Sequence, residues 1–276
     1  MTAISMALGA VVGLILALTG AGGGILAVPL LVFGLHLSIM QAAPVGLIAV
    51  GAASAIGAVL GIREGLVRYR AAVLIGGTGM AIAPIGVLLA GIIPNTPLTI
   101  AVAGLLFYVA ARMWLQASGS GRNVIPPMRV DMPCVLNPVE GRLAWTMPCA
   151  RALAATGAAS GILSGLLGVG GGFVIVPALS RFTNLATRSI LATSLAVIAL
   201  VSLGGVMAAT MKGAILWAVA LPFAVGAIAA LLVGRQIASR VAGPRLQQAF
   251  AITSALVSLL LLARGLGWLM LASPNH

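Results

Sequence analysis

Two short runs of glycine are the part of the sequence best suited to bind a ligand. They occupy residues 20–24 and 168–172, and Pro29 and Pro177 follow them at the same distance. Glycine tolerates positive φ and exposes its backbone N–H, and consecutive free amides at the start of a helix bind anions without a cationic side chain. The residues predicted to ligate a small anion are Gly22, Gly23, Gly24, Gly170, Gly171 and Gly172.

Helix packing is the alternative explanation for glycines in an apolar segment. The pairs Gly9/Gly13 and Gly161/Gly165 have the GxxxG spacing of close helix contacts, and for them packing is the better explanation. A five-residue run that occurs twice, each time before a proline, instead favours a break in a helix. A nucleotide site is excluded, because neither run fits G-x-G-x-x-G and no Gly-Lys-Ser/Thr occurs.

A few uncharged polar side chains lie near the runs. Thr193 and Ser194 follow the second run, and Gln41 opens the matching segment after the first. We predict these three residues as further ligands, because hydroxyl and amide groups donate hydrogen bonds to oxyanions. Ser54 and Ser202 occupy equivalent places later in these segments. Two alternatives stay open: intramembrane Ser and Thr also bond their own helix carbonyls, and Gln41 fits an interfacial position equally well.

The sequence is poor in the residues that enzymes and proton-coupled pumps need. Its three carboxylates, Glu64, Asp131 and Glu140, all lie in polar loops. We find no nucleophile–base pair and no metal-ligand pattern, so we expect no catalysis, no metal and no cofactor. Cys134 and Cys149 lie 15 residues apart in one loop without a nearby histidine. We therefore expect two reduced thiols and not a zinc or redox site.

The composition is that of a chain whose solvent is largely lipid. Hydrophobic residues make up 61% of the 276 residues, charged residues only 7%, and the mean hydropathy is +1.20. The formal net charge of +12 comes from basic residues that stand singly or in threes between apolar runs. Such residues orient helices and contact lipid headgroups, so we expect lipid and not nucleic acid as the partner.

The elements that carry the glycine runs are themselves duplicated. At an offset of 148 residues, 11 of the 23 positions of 9–31 are identical to those of 157–179. We divide the chain into a first membrane repeat (1–111), a cytoplasmic linker loop (112–151) and a second membrane repeat (152–276). The predicted fold is an all-α integral membrane protein with two inverted repeats, each a glycine-broken, re-entrant-like helix plus three transmembrane helices.

The distribution of basic residues favours this arrangement over four full crossings per repeat. If each broken segment dips into the membrane and returns, one side of the membrane collects 13 basic residues and the other collects 2. If the segments cross, the division is 10 against 5. Positively charged loops stay in the cytoplasm, so the sharper division predicts a cytoplasmic linker, both termini outside and inverted repeats.

With these residues identified, the chain resembles the TauE/SafE sulfite-exporter family of membrane transporters. The resemblance rests on G-x-G-G-G-x4-P in both repeats and on Ala-Thr-Ser-Leu at 192–195. It implies transport of small sulfur-containing anions, such as sulfite and organosulfonates, across the bacterial inner membrane. The first repeat departs from the family pattern, because it has Pro-Val-Gly-Leu at 44–47 and lacks those hydroxyl groups, so the two half-sites are unequal.

The sequence is compatible with three functional hypotheses. The first is a secondary transporter that exports small sulfur-containing anions. The second is import of the same anions, which the sequence does not separate from export. The third is a membrane scaffold that transports nothing. Assembly into homo-oligomers is left open.

Overall fold

The structure, a computed structural model, describes residues 2–20, 23–118, 134, 136–137, 142–143, 146–213, 215–241, 244–265 and 267. Within these ranges the chain forms ten helices and a ladder of two two-residue strands, Leu136–Asn137 and Arg142–Leu143. The helices are α1 (Thr2–Thr19), α2 (Gly23–Gly34), α3 (Ile39–Arg63), α4 (Tyr69–Ile92), α5 (Asn95–Ser118), α6 (Met147–Leu167), α7 (Gly172–Phe182), α8 (Thr187–Met211), α9 (Trp217–Val241) and α10 (Pro244–Gly265).

Six of these helices are long and apolar enough to cross a membrane: α1, α3, α4, α6, α8 and residues 217–236 of α9. Helices satisfy their backbone hydrogen bonds internally, which is what a segment without water requires. The predicted all-α membrane class is therefore confirmed. Helices α5 and α6 extend into the range 112–151 that was assigned to the linker, and most of the rest of that range lies outside the described residues.

The duplication extends over all ten helices. A shift of 148 residues moves α3 onto the bounds of α8 without any difference, and it moves the other four helices of the first set to within three residues of their partners. The repeat inferred from 23 positions thus covers five helices in each half. Whether the two halves are inverted across a membrane stays a prediction.

Helices α3 and α8 are related by the repeat, and they cross at the centre of the bundle in opposite directions. A Cβ atom added at Gly51 would lie 2.7 Å from Cβ of Ser202, and one added at Gly61 would lie 3.1 Å from Cβ of Ala192. As residue numbers rise along α3, the contacted numbers fall along α8. This antiparallel crossing of equivalent helices supports the predicted inversion.

Close packing along glycines joins each broken segment to the other repeat. A methyl group on Gly9 of α1 would collide with the carbonyl of Phe223 in α9, and one on Gly161 of α6 would collide with the carbonyl of Gly79 in α4. The packing role predicted for these glycines is confirmed. Helices α1 and α9 therefore touch along their backbones, as do α4 and α6.

Helix α2 runs back along α1 and does not continue in its direction. Gly23, the first residue of α2, packs against Leu16, and Gly34, its last residue, packs against Leu8. At 1.5 Å per residue the 12 residues of α2 span about 18 Å, too short for a hydrocarbon core of about 30 Å. Helices α1 and α2 therefore form a hairpin, which supports the re-entrant arrangement that the charge distribution favours; re-entry into a membrane stays a prediction.

The prediction of two reduced thiols is wrong, because Cys134 and Cys149 form a disulfide. The backbone N–H of Cys134 donates to the carbonyl of Phe182 at the end of α7, which holds this part of the linker beside the first turn of α6, where Cys149 lies. Both cysteines are buried. The spacing of the two cysteines does not predict the disulfide, because the bond forms only where the linker packs against the ends of α6 and α7.

Candidate functional site

The second glycine run is a break between two helices. Helix α6 ends at Leu167, and Gly168, Gly170 and Gly171 have φ of +71°, +73° and +68° before α7 begins at Gly172. Only glycine adopts such angles readily, and here they turn the chain within four residues. The break predicted from the sequence is present, and residues 168–172 are all buried.

The break places the N-terminus of α7 in the buried interior. The N–H of Val174 donates to the carbonyl of Gly171 over 3.0 Å, which closes the first turn. The amides of Gly172 and Phe173 precede that bond, and such first-turn amides have no carbonyl partner within their own helix. This helix end therefore offers N–H donors and the positive end of a helix dipole.

The first glycine run makes the equivalent break in the other half. Gly20 has a φ of +71°, its N–H donates to the carbonyl of Leu16, and α2 begins at Gly23. Gly23 and Gly24 are buried, whereas Gly22 lies outside the described residues. Five of the six glycines predicted as ligands are thus described, and they lie at or beside the N-termini of α2 and α7.

The two breaks meet between α3 and α8. A Cβ atom on Gly24 would lie 2.5 Å from the carbonyl oxygen of Val169 and 3.2 Å from Cγ1 of Val50. One on Gly170 would lie 3.0 Å from the same Val50 side chain and 3.1 Å from Ile198. The N-termini of α2 and α7 therefore approach each other at the central crossing, where two positive helix ends favour a negative charge.

A buried hydroxyl without a partner lies beside this meeting point. Ser202 of α8 is 1% exposed, and its Oγ accepts or donates no hydrogen bond among the described residues. That oxygen lies 3.6 Å from the Cβ position of Gly170 and 3.4 Å from that of Gly51. Ser54, its equivalent in α3, is also fully buried and unpartnered. Buried hydroxyls in native folds usually have a partner, so Ser202, which lies beside the break, is a candidate to contact a bound ligand.

Comparison with known proteins places this arrangement in a family. The family described as "Sulfite exporter TauE/SafE" matches residues 5–261. The chain belongs to the TauE/SafE family. A "Probable membrane transporter protein" of Xylella fastidiosa (strain 9a5c) is 28% identical over 242 residues, 86% of this chain and 85% of the relative. The "Probable membrane transporter protein YdhB" of Bacillus subtilis is 26% identical over 254 residues, 91% and 96% of the two chains. No solved structure gives a significant match.

Membership in the TauE/SafE family makes this chain a membrane transporter. The family and these relatives are named as exporters or transporters, not as enzymes. No group of three His, Cys, Asp or Glu side chains that could hold a metal ion occurs in the described ranges. The buried polar side chains there are all serines and threonines. The interior of this TauE/SafE protein therefore offers neutral hydrogen-bond donors.

The structure gives Thr193 and Ser194 of this TauE/SafE protein different surroundings. The Oγ1 atom of Thr193 accepts a hydrogen bond of 3.0 Å from the N–H of Arg68, which joins α8 to the loop before α4. Ser194 donates to Leu191 over 2.8 Å and lies 3.4 Å from the carbonyl oxygen of Gly20. Ser194 therefore contacts the first break, and Thr193 closes a contact between the two repeats.

Gln41 lies in the first turn of α3, where it completes a capping box. Its Oε1 accepts from the N–H of Ser38 over 3.2 Å, and its own N–H donates to Oγ of Ser38. The side chain is exposed at the start of the helix. The spacing Ser-x-x-Gln before an apolar run is a known sequence signal for such a cap.

Proposed function

We propose that this TauE/SafE transporter carries small sulfur-containing anions, of the sulfite and organosulfonate class, and exports them across the bacterial inner membrane. The observation that carries the proposal is the meeting of two helix N-termini at the α3–α8 crossing, with the unpartnered hydroxyl of Ser202 beside them. The proposed ligands are the amides of the described glycines from Gly23 to Gly24 and from Gly170 to Gly172. Gly22, Ser194, Thr193 and Gln41 stay predictions.

The chemistry of these groups favours an oxyanion over a cation. Every donor that the site offers is an N–H or O–H group, and the buried polar side chains of the described residues include no carboxylate. Two helix ends of 11 and 12 residues point their positive dipoles toward the same place. A tetrahedral or pyramidal sulfur oxyanion presents several acceptor oxygens and would satisfy donors on both sides at once.

The arrangement also supports alternating access. Equivalent halves that cross at α3 and α8 place the site between them, so that a small rocking of one half changes which side is open. On the linker side the halves are held together by Thr193 with Arg68, by Ser189 with Leu66 over 2.7 Å and by Arg235 with Glu64 over 2.7 Å. Export then needs no coupled ion, since an anion leaving an inside-negative cell gains about 2.3 kcal/mol per charge per 100 mV.

The test is flux of the purified transporter in proteoliposomes. Sulfite, thiosulfate, sulfate, sulfoacetate and taurine are offered at equal concentration, with potassium–valinomycin potentials of either sign. We expect saturable flux of sulfite or sulfoacetate that exceeds that of zwitterionic taurine, faster when the potential drives the anion outward. A protein that moves none of these anions and shows no thermal-shift response to them would contradict the proposal and favour the scaffold.

A further inference from the structure

A cavity lies on the opposite side of the bundle from the linker. It has a volume of about 90 Å³ and is enclosed by the first turn of α3 (Met40), the last turn of α4 (Gly91) and the C-cap of α8 (Lys212). These are the ends of the three helices that are farthest from the contacts between Arg68 and Thr193. The cavity therefore belongs to one face of the bundle, and the polar contacts that join the halves belong to the other.

Lys212 is the one lysine of the chain and the charged residue of the cavity lining. Its Nζ lies 3.1 Å from the position that a Cβ of Gly91 would take, so the missing side chain of Gly91 makes room for the ammonium group. The side chain is exposed, and the N-terminal turn of α3 adds a positive helix end to the same cavity. The lysine also lies at the C-terminus of α8, where a cation would stabilise the helix without any ligand.

The cavity lies close to the second glycine break. Gly165 and Leu166, in the last turn of α6, line it together with Ala43. Ala43 is also the residue against which Gly168 packs, with its Cβ 2.5 Å from the Cβ position of that glycine. One layer of contact therefore separates the cavity from the start of the break, and the ammonium group and the amide-lined site lie in series.

The charge of Lys212 stands out against its surroundings. The sequence assigns 13 basic residues to the linker side and only Lys212 and Arg264 to the other. The preference of basic residues for the linker side therefore does not explain a cation on the opposite side. A charge at the mouth of an apolar cavity concentrates its field in the opening and raises the local concentration of anions.

We propose that this cavity is an anion vestibule on the face away from the linker, in which Lys212 holds a small oxyanion between Gly168–Gly172 and the solution on that side. The identity of the physiological anion rests on the proposed function. It adds a second, weaker binding site, a residue that recognises the ligand by charge, and a path between that site and the glycine break.

The first test compares initial rates of sulfite uptake in proteoliposomes for wild type, Lys212→Gln, Lys212→Arg and the control Arg188→Gln. Arg188 is exposed at the other end of the same helix. We expect Lys212→Gln to raise KM roughly three- to tenfold with an unchanged maximal rate, Lys212→Arg to restore KM, and the control to behave as wild type. Added salt should raise KM of wild type and not that of Lys212→Gln. An unchanged KM in Lys212→Gln overturns the vestibule, whereas absent flux in wild type overturns the proposed function.

The second test does not depend on flux. Because the chain has one lysine, acetylation by an amine-reactive reagent followed by mass spectrometry reports on Lys212 alone once the terminal amine is counted separately. Sulfate, methanesulfonate and sulfoacetate should slow the acetylation relative to chloride at equal ionic strength. If none of them slows it, Lys212 serves only the C-terminus of α8 and the vestibule is overturned, whatever the flux.

Discussion

Replacing Ser202 with alanine separates a ligand-binding hydroxyl from a structural one. Ser202 is 1% exposed and its Oγ has no partner among the described residues. An unpaired buried hydroxyl costs about 1–3 kcal/mol, so the alanine variant without ligand should be as stable as wild type or more stable. In the presence of an anion the same hydroxyl makes a charge-assisted hydrogen bond worth about 1.5–3 kcal/mol. Its loss should raise Kd roughly 10- to 150-fold.

Thermal unfolding with and without sulfite measures both effects. At an anion concentration of about 100 times Kd, binding stabilises wild type by about 2.7 kcal/mol, and a variant with tenfold weaker binding keeps about 1.4 kcal/mol. The matched control is Ser254→Ala, because Ser254 of α10 is also fully buried and unpartnered. This control should gain or keep stability and retain the full response to sulfite.

The opposite pattern would refute the reasoning. If Ser202→Ala unfolds at a lower temperature without ligand and responds to sulfite as wild type does, then the hydroxyl stabilises the α3–α8 crossing and binds nothing. Flux should follow the thermal data, with a raised KM in Ser202→Ala and an unchanged KM in Ser254→Ala.

Three further predictions follow from packing, from the disulfide and from the charge distribution. Gly79→Ala should lower stability in detergent by about 1–3 kcal/mol, because the new Cβ would lie 2.6 Å from Val201 and 2.9 Å from the carbonyl of Gly157. Gly77→Ala on the same helix meets open space and should keep or gain stability. Cys134→Ser should destabilise the oxidised protein by about 3 kcal/mol, the value for a closed loop of some 15 residues, and a reductant should abolish the difference from wild type. A membrane-impermeant maleimide should label His36→Cys but not Arg70→Cys in intact cells, because the charge distribution places the linker side in the cytoplasm. The reverse labelling would place the linker and its disulfide in an oxidising compartment, where such bonds persist.

The architecture could be predicted from the sequence because its signals are local and repeated. Glycine at 20 and 168 and proline nine residues later mark both breaks, and apolar length marks the spans. The helices of the second half begin and end within three residues of where the 148-residue offset puts them. In lipid the chain has few alternatives to helix, so composition and length settle most of the class.

The candidate site was harder to predict, because its residues are set by the level at which α3 and α8 cross, which the sequence does not show. The sequence places Thr193 and Ser194 near the second run, yet Thr193 accepts a hydrogen bond from the N–H of Arg68 in the loop before α4. Ser202 lies eight residues further, about 12 Å along α8, at the level where α3 crosses. Only the crossing brings it to Gly170. The disulfide and the cavity at Lys212 were missed for a similar reason, since each joins segments that are distant in sequence.

The pairing of α1 with α9 and of α4 with α6 makes the two halves dependent on each other. The hairpin of α1 and α2 is covered by α9 of the second half, and the hairpin of α6 and α7 is covered by α4 of the first half. A chain of half the length would lack the helix that covers its hairpin, and it would expose the helix that covers the other hairpin. Two such chains would have to associate to bury both surfaces. A gene that encoded one half could therefore have served only as a two-chain assembly, and joining the halves in one polypeptide fixed the partnership at a ratio of one to one.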